Sequence, residues 1–329
     1  MPDTLPDAVN EIMASDPLLA GLERLARGKP EELTALIHEV EVKASVANTK
    51  VVCHCYSVKL DGNGRPRVRD FIKAVCDAAI DYAIPRSSIT QARQELEENG
   101  STSAFMRLRS EALSAFTDLE KTGEGGELLL FALAEKVLHL PQIICKMSLK
   151  TSSQMHFHGA DGAHAAVDPN SGKLLLYWGE SKLYDDPIKA IYECLKSIAP
   201  MLTDVQSGEA ASDRDFTLLS RYADLDDEQL EAALKGFLDK RNPLFNSLEV
   251  GGLCLVGFDC AAYPKQDQAA QLEEVVAAIL KELPAWKKQI AKRVGEEKLT
   301  SFVFHFITVP FPSVEDFRDR FRKELGLVQ

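Results

Sequence analysis

HFHGADGAHAAVDPNSGKLLLYWGESK, residues His156–Lys182, is the stretch that decides the fold of this chain. Two apolar segments, Ala163–Val167 and Leu174–Trp178, flank the turn-rich sequence Asp168–Gly172. Apolar runs on either side of a short segment of Asp, Pro, Asn, Ser and Gly are typical of two antiparallel strands joined by a tight turn. The sequence therefore predicts a β-hairpin here.

The end of this hairpin farthest from the turn carries acidic side chains. If the turn is symmetric about the Asn170–Ser171 bond, Asp161 lies directly opposite Glu180. Directly opposed Cβ atoms are about 4.5–5.5 Å apart, a gap that a divalent cation held by each carboxylate at about 2.0–2.6 Å would bridge. Lys182 projects from the same face, because it lies two residues beyond Glu180. The register therefore predicts a metal site with a cation beside it. The alternative, a surface hairpin with solvated acids, fits less well because these residues end an otherwise apolar face.

Length and amino-acid composition limit the kinds of protein that this chain can be. The chain has 329 residues, 45% hydrophobic and 27% charged, which is ordinary for a globular protein of two domains or one enlarged domain. It has no apolar run of membrane-spanning length and no signal-peptide pattern, so we expect no membrane association and a cytoplasmic location. Seven cysteines without paired spacing indicate reduced thiols.

The net charge of −12 argues against a broad, nonspecific grip on nucleic acid. The acidic excess is uneven along the chain. Residues 121–200, which include the hairpin, carry eight Lys and Arg against nine Asp and Glu. A bound cation would make this region locally positive.

Residues 1–120 are predicted to form a mostly helical N-terminal α/β region. Hydrophobic spacing predicts helices over residues 1–46, and Val51–Leu60 is predicted to be a strand. Three further helices are expected at Asp70–Ala83, Ser87–Glu98 and Ala104–Leu119. The glycine-rich sequence of residues 121–126 is interpreted as a joint between this region and a second domain, residues 121–329.

The second domain is predicted to alternate helices and strands. Before the hairpin come a helix, Glu127–Leu138, and a strand, Gln142–Leu149; after it come a helix from Pro187 to about Pro200 and an acidic helical insertion near residues 203–242. The remaining elements are predicted in this order: strand Leu248–Phe258, helix Asp267–Leu283, strand Ser301–Val309 and helix Val314–Leu325. This order predicts a mixed α/β (α+β) fold with an αβββαβ core and a strand–helix extension at its C-terminal end.

Cysteine and histidine clusters raise the alternative of zinc. In Cys53-His54-Cys55, strand alternation sends the histidine to the face opposite both cysteines, so a buried strand is the preferred interpretation. His156 and His158 share a face but lack a third ligand, and His164 should point away from the acids. We expect no structural zinc, although His158 could touch a phosphate.

Three blocks of this sequence resemble a known family. Glu127 at a helix start, Asp161 opening a strand and Glu180-Ser181-Lys182 ending the next match the PD-(D/E)XK nuclease pattern. More narrowly, GGELLLF, HGADGAH and LYWGESKLY are similar to the HamA-type nuclease subunit of Hachiman antiphage defence systems. The resemblance implies a restriction-endonuclease-like core, with Ala160 standing where the name-giving proline would be.

The resemblance also implies a function. It implies Mg²⁺-dependent hydrolysis of DNA phosphodiesters, with Mn²⁺ able to substitute, in partnership with a HamB-type helicase subunit. Asp161 and Glu180 would hold the ion, with the Ser181 carbonyl as a further ligand and Glu127 completing the shell directly or through water. Lys182 would orient the attacking water, stabilise the scissile phosphate or take the water's proton.

Two alternatives remain open at this point. The chain could be a catalytically silent nuclease fold that serves as a binding subunit of a helicase complex, although a silent fold has no need of three acids around one point. The same metal chemistry would also cleave RNA. The sequence does not separate DNA from RNA.

Overall fold

A six-stranded mixed sheet forms the centre of the molecule. The computed structural model describes residues 16–116, 123–145, 147, 160–168, 171–207, 211–265 and 268–328, without the side chains of residues 16–20 and 204–215. The strands are β1 (Ile37–Ser45), β2 (Lys50–Val58), β3 (Gly162–Val167), β4 (Leu174–Tyr184), β5 (Leu248–Asp259) and β6 (Val303–Phe311). Their spatial order is β1-β2-β6-β5-β4-β3. The two outer pairs are antiparallel, and β2, β6, β5 and β4 run parallel.

Helices cover this sheet. Those in the described part of the chain are α1 (Asp16–Leu25), α2 (Glu31–Thr34), α3 (Val68–Cys76), α4 (Ala79–Ala83), α5 (Arg86–Asn99), α6 (Ser103–Ser114), α7 (Glu124–Lys136), α8 (Pro187–Ser207), α9 (Ala211–Tyr222), α10 (Glu228–Leu238), α11 (Leu272–Glu296) and α12 (Val314–Glu324). None of these helices is both long enough and apolar enough to cross a membrane. The fold is mixed α/β, as predicted.

The parallel strands are buried on both faces. In β5, Leu253–Val256 is fully buried, as expected for a run of apolar residues in a parallel sheet covered on both sides. Helix α7 covers one face, because Leu130 lies against Gly179 of β4, and α8 covers the other, because Ile198 lies against Gly252 of β5. A Cβ atom at Gly252 would lie 2.2 Å from Phe304 Cε1, so only glycine fits at this crowded point of the core.

The first part of the chain departs from prediction. Residues 37–45 form strand β1 rather than continuing a helix, because the segment finds an antiparallel partner in β2. The spacing of Leu36, Ile37 and Val40 matched a helical period, but pairing with a neighbouring strand prevailed over that local pattern. The predicted helix over residues 70–83 is two helices, α3 and α4.

The predicted strand Gln142–Leu149 is reduced to an isolated bridge between Gln142 and His164. The Gln142 carbonyl accepts a hydrogen bond from Arg86 and its N–H donates to Glu135, so its backbone groups are engaged outside a strand ladder. Residues 146, 148 and 149 of that prediction lie outside the described residues.

Several element ends also differ. Helices α8 and α11 run through Pro200 and Pro284, where the sequence had predicted ends nearby. In α8 the helix continues because Met201 and Leu202, beyond the proline, are buried. Residues 124–126 were interpreted as part of a joint, but they form the first turn of α7.

The division into two domains at residue 120 stays a prediction. The sheet crosses this division, because β2 pairs with β6.

A buried ion network ties the N-terminal region to α7. Glu135, only 1% exposed, accepts hydrogen bonds from the Arg27 backbone N–H (2.6 Å), the Arg27 guanidinium (2.9 Å), Arg86 (3.2 Å) and the Gln142 N–H (2.8 Å). Such a buried carboxylate is tolerated because cations and N–H groups replace its hydration. The network fixes the end of α7 and the chain after it.

Candidate active site

The β3–β4 hairpin has the predicted register. Gly162 pairs with Gly179 and Val167 with Leu174, so the turn is symmetric as the sequence indicated. The Asp168 N–H donates to the Lys173 carbonyl at 2.9 Å, which closes the ladder next to the turn. The opposite end of the hairpin therefore brings Asp161 beside the end of β4.

Asp161 lies in a bend directly before β3. Its N–H donates to the Gly179 carbonyl at 2.7 Å, which extends the hairpin by one more hydrogen bond. Its carboxylate turns toward β4, accepting from the Ser181 N–H at 2.7 Å and the Ser181 hydroxyl at 2.6 Å. Ser181 was predicted as a carbonyl ligand, and the structure shows that its amide and hydroxyl orient Asp161.

Glu180 and Lys182 share one face of β4, as alternation predicts, and their side chains form an ion pair. Glu180 is 2% exposed, and the Lys182 side chain is 26% exposed. Burial by itself lowers the pKa of Lys182, but the attraction and hydrogen bond of Glu180, together with the charge of Asp161, raise it above its ordinary value. Lys182 is therefore a cation here, suited to stabilise negative charge rather than to accept a proton.

Glu127 lies in the first turn of α7, where the helix dipole favours an acid. The Tyr82 hydroxyl, from α4, donates to its Oε2 at 2.8 Å. Burial raises the pKa of Tyr82 well above its ordinary value, and the charges of Glu127 and Asp161 raise it further. The charge of Asp161 thus raises the pKa of both Tyr82 and Lys182.

Glycines allow α7 to approach β4 closely. A Cβ atom at Gly126 would lie 3.0 Å from Ser181 Oγ, and one at Gly179 would lie 3.1 Å from Leu130 Cδ2. Distances this short leave little room for a side chain. The group that approaches Gly179 most closely is therefore helix α7.

The donor atoms at this site fit a hard divalent cation. Glu127, Asp161 and Glu180 offer only oxygen, which suits Mg²⁺ and Mn²⁺ better than zinc. Among the described residues, no three His, Cys, Asp or Glu side chains lie close enough together to form a complete metal-binding group. Asp161 and Glu180, which lie at the same end of the paired strands β3 and β4, are the candidates for direct ligands.

The histidines have other surroundings. His164 is buried, and its Nδ1 lies 2.9 Å from the Leu140 carbonyl oxygen. His54 stacks on His305, with 3.1 Å between Nε2 and Nδ1, while Cys53 and Cys55 are fully buried. His156 and His158 lie outside the described residues, so the expected absence of zinc there stays a prediction. All seven cysteines are free thiols, as expected.

A cleft of about 420 Å³ opens beside Lys182. It lies between the start of α7, the end of β4 and helix α12, which contributes Arg318 and Arg322. Sequence reasoning missed these arginines and Tyr82. Arg318 and Arg322 lie four residues apart in a helix of mixed charge. Tyr82 lies in an ordinary apolar segment. Neither sequence pattern indicates a functional residue.

Comparison with known proteins identifies the family. A family model described as HamA matches residues 34–325, nearly the whole chain. No curated protein matches the chain. The matched range contains the β3–β4 hairpin and the start of α7, and with them Glu127, Asp161, Glu180 and Lys182. This chain therefore belongs to the HamA family of Hachiman antiphage defence.

Proposed function

We propose that this protein is a metal-dependent deoxyribonuclease, the cutting subunit of a cytoplasmic defence complex that also contains a HamB-type helicase. The observation that carries the proposal is the arrangement of Asp161, Glu180 and Lys182 at one end of the β3–β4 hairpin, next to the start of α7, which carries Glu127. Carboxylates gathered at one point repel one another, and a divalent cation bound between them would relieve that repulsion. A silent binding subunit would have no use for such an arrangement.

Asp161 and Glu180 would hold the ion, with Glu127 contributing directly or through water. When bound, Mg²⁺ lowers the pKa of a coordinated water and neutralises charge on the phosphate. Ser181 keeps Asp161 in place through two hydrogen bonds, and Tyr82 keeps Glu127 in place through one. Support of this kind preserves ligand geometry.

Lys182 would stabilise the charge that builds on the phosphate during cleavage. Its ion pair with Glu180 places a positive charge beside a carboxylate that would hold the ion, which supports this role. Its side chain is partly exposed and lines the adjacent cleft, so a phosphate entering that cleft would meet it.

Partnership with a helicase is supported by charge. At −12 the chain as a whole repels the phosphate backbone, so delivery of DNA by another subunit would aid cleavage. A stable complex on co-purification with the adjacent helicase is the expected result. A chain that ignores the helicase and cuts DNA fully alone would remove this part of the proposal.

The decisive experiment is degradation of plasmid DNA by the purified protein, with and without the helicase, in Mg²⁺ and in EDTA. We expect cleavage that requires Mg²⁺, is restored by Mn²⁺ and is lost in EDTA. A single-stranded RNA of matched length is included in the same assay. Cleavage of RNA alone would favour the ribonuclease alternative, and cleavage of neither would favour the silent binding subunit.

A further inference from the structure

The cleft beside Lys182 has a consistent charge. The described residues that line it include three ionisable cations, Lys182, Arg318 and Arg322, and no acid. Glu124 and Glu127 lie in the first turn of the adjacent helix α7, but neither is among the described residues that line the cleft. A cavity with one sign of charge on its walls concentrates ligands of the opposite sign.

The arginines are placed by close packing of α12 on the start of α7. A Cβ atom at Gly125 would lie 3.3 Å from both Phe317 Cε1 and Phe321 Cδ1, so glycine permits this approach at the least cost. Both phenylalanines are buried. Arg318 and Arg322 each follow one of them, and residues four apart lie on the same side of a helix.

Arg318 is held in position by the end of β4. Its Nη2 donates to the Leu183 carbonyl at 2.6 Å, one residue beyond Lys182. A guanidinium has five N–H donors in a fixed plane, so one hydrogen bond to the strand leaves others for a ligand. Guanidinium groups match the paired oxygens of a phosphate. Arg318 is therefore held in the same cleft as Lys182 of the proposed active site.

We propose that this cleft binds a backbone phosphate of the nucleic-acid strand next to the phosphate that is cleaved, through Arg318 and Arg322. The inference rests on the proposed nuclease function, because it assigns to that site a second phosphate position. Lys182 belongs to both places: it pairs with Glu180 and it lines the cleft. A strand with one phosphate at Lys182 would continue toward the two arginines.

The test is oligonucleotide binding by full-length Arg318→Gln and Arg322→Gln, measured by fluorescence anisotropy over a range of salt concentrations. Labelled single- and double-stranded DNA are used in EDTA, so that cleavage does not interfere. Each variant should bind about tenfold more weakly. The slope of log affinity against log salt should fall by about 0.7–0.9 for each phosphate that the variant no longer binds.

Arg320→Gln is the matched control. Arg320 lies on the same helix between the two arginines, is exposed, and pairs with Asp316 at 2.7 Å instead of lining the cleft. This variant removes the same single charge and should change affinity by less than about twofold. Arg318→Lys, which keeps the charge but not the planar donors, should fall between the parent and Arg318→Gln. A thermal melt of each variant separates loss of binding from loss of folding.

Cleavage kinetics of the same variants are a second, independent test of the inference. In Mg²⁺, the two glutamine variants should raise KM about tenfold while changing kcat less, because the flanking phosphate is bound in the ground state as well. Equal binding by Arg318→Gln, Arg322→Gln and Arg320→Gln would overturn the inference while leaving the nuclease proposal intact. If the parent protein binds oligonucleotides through these arginines but cuts neither DNA nor RNA, the nuclease proposal is overturned while phosphate binding in the cleft stands.

A third arm identifies the source of the phosphate. Inorganic phosphate is titrated into the parent and into Arg322→Gln by calorimetry. Parent protein that binds free phosphate through Arg322, but binds neither oligonucleotide, would overturn the inference and show that the cleft takes a small anion rather than a strand. A parent with no affinity for any of these probes would also overturn it.

Discussion

Two groups of carboxylates in this molecule differ in their surroundings. At the end of α7, Glu135 is surrounded by two arginines and two backbone N–H groups. At the start of the same helix Glu127 accepts a hydrogen bond from Tyr82, and at the end of the hairpin Asp161 accepts from Ser181 while Glu180 pairs with Lys182. One helix thus carries an acid of each kind, about two turns apart.

We expect this difference to separate a structural cluster from the proposed active site. An acid whose neighbours already supply opposite charge and donors stabilises the fold and has little capacity for another cation. Several acids gathered at one point repel one another and favour the binding of an additional positive ligand. The two ends of α7 should therefore respond to mutation in opposite ways, one in stability and the other in activity.

The largest effect should come from the acids of the hairpin. Asp161→Asn and Glu180→Gln should reduce Mg²⁺-dependent plasmid cleavage by about 10²–10³-fold or more, because each removes a charged ligand. Asparagine can still accept the Ser181 hydrogen bonds, so stability should change by less than about 1 kcal/mol. Cleavage assays beside urea unfolding of each variant measure both quantities. Full activity in both variants would place the active site elsewhere.

Glu135→Ala should have the reverse profile. It leaves Arg27 and Arg86 without their shared carboxylate, and loss of one partner of a buried ion pair costs about 3–5 kcal/mol. Denaturant unfolding measures the change. Glu95→Ala is the control, because its pair with Arg107 is exposed and should contribute less than about 1 kcal/mol. Equal stability of the two variants would show that the Glu135 network is not structural.

Lys182→Ala should keep metal binding and lose about 10²-fold in the rate of cleavage, the scale for removing one group that stabilises transition-state charge. Calorimetric titration with Mn²⁺ tests the first expectation, since removing the cation beside Glu180 should leave or increase affinity for the ion. Loss of Mn²⁺ binding in this variant would contradict the assigned role.

Tyr82→Phe should give the smallest effect. It removes one hydrogen bond to Glu127, so we expect roughly a tenfold or smaller loss of cleavage and about 1 kcal/mol of stability. Tyr263→Phe is the matched control, since its buried hydroxyl bonds Val58 and Pro310, away from the acids. That variant should lose stability without losing cleavage. Identical activity losses in both would assign Tyr82 a purely structural part.

Much of the hairpin was predictable because its signals are local. The turn residues Asp168–Gly172 and the alternation of apolar residues specify the register of β3 and β4, and the register brings Asp161 near Glu180 and Lys182. The helix that carries Glu127 was equally visible in its apolar run, although it begins three residues earlier than predicted, at Glu124. These features depend on residues close to one another in the chain, so the sequence alone determined them.

Other features were decided by tertiary structure. Residues 37–45 became a strand because β2 was available as a partner, whereas the segment after Pro141 meets β3 only at the single bridge between Gln142 and His164. Tyr82 reaches Glu127 from 45 positions earlier in the chain. Arg318 reaches the end of β4 from 135 positions later. Interactions over such separations depend on how the whole chain packs, and no local pattern encodes them.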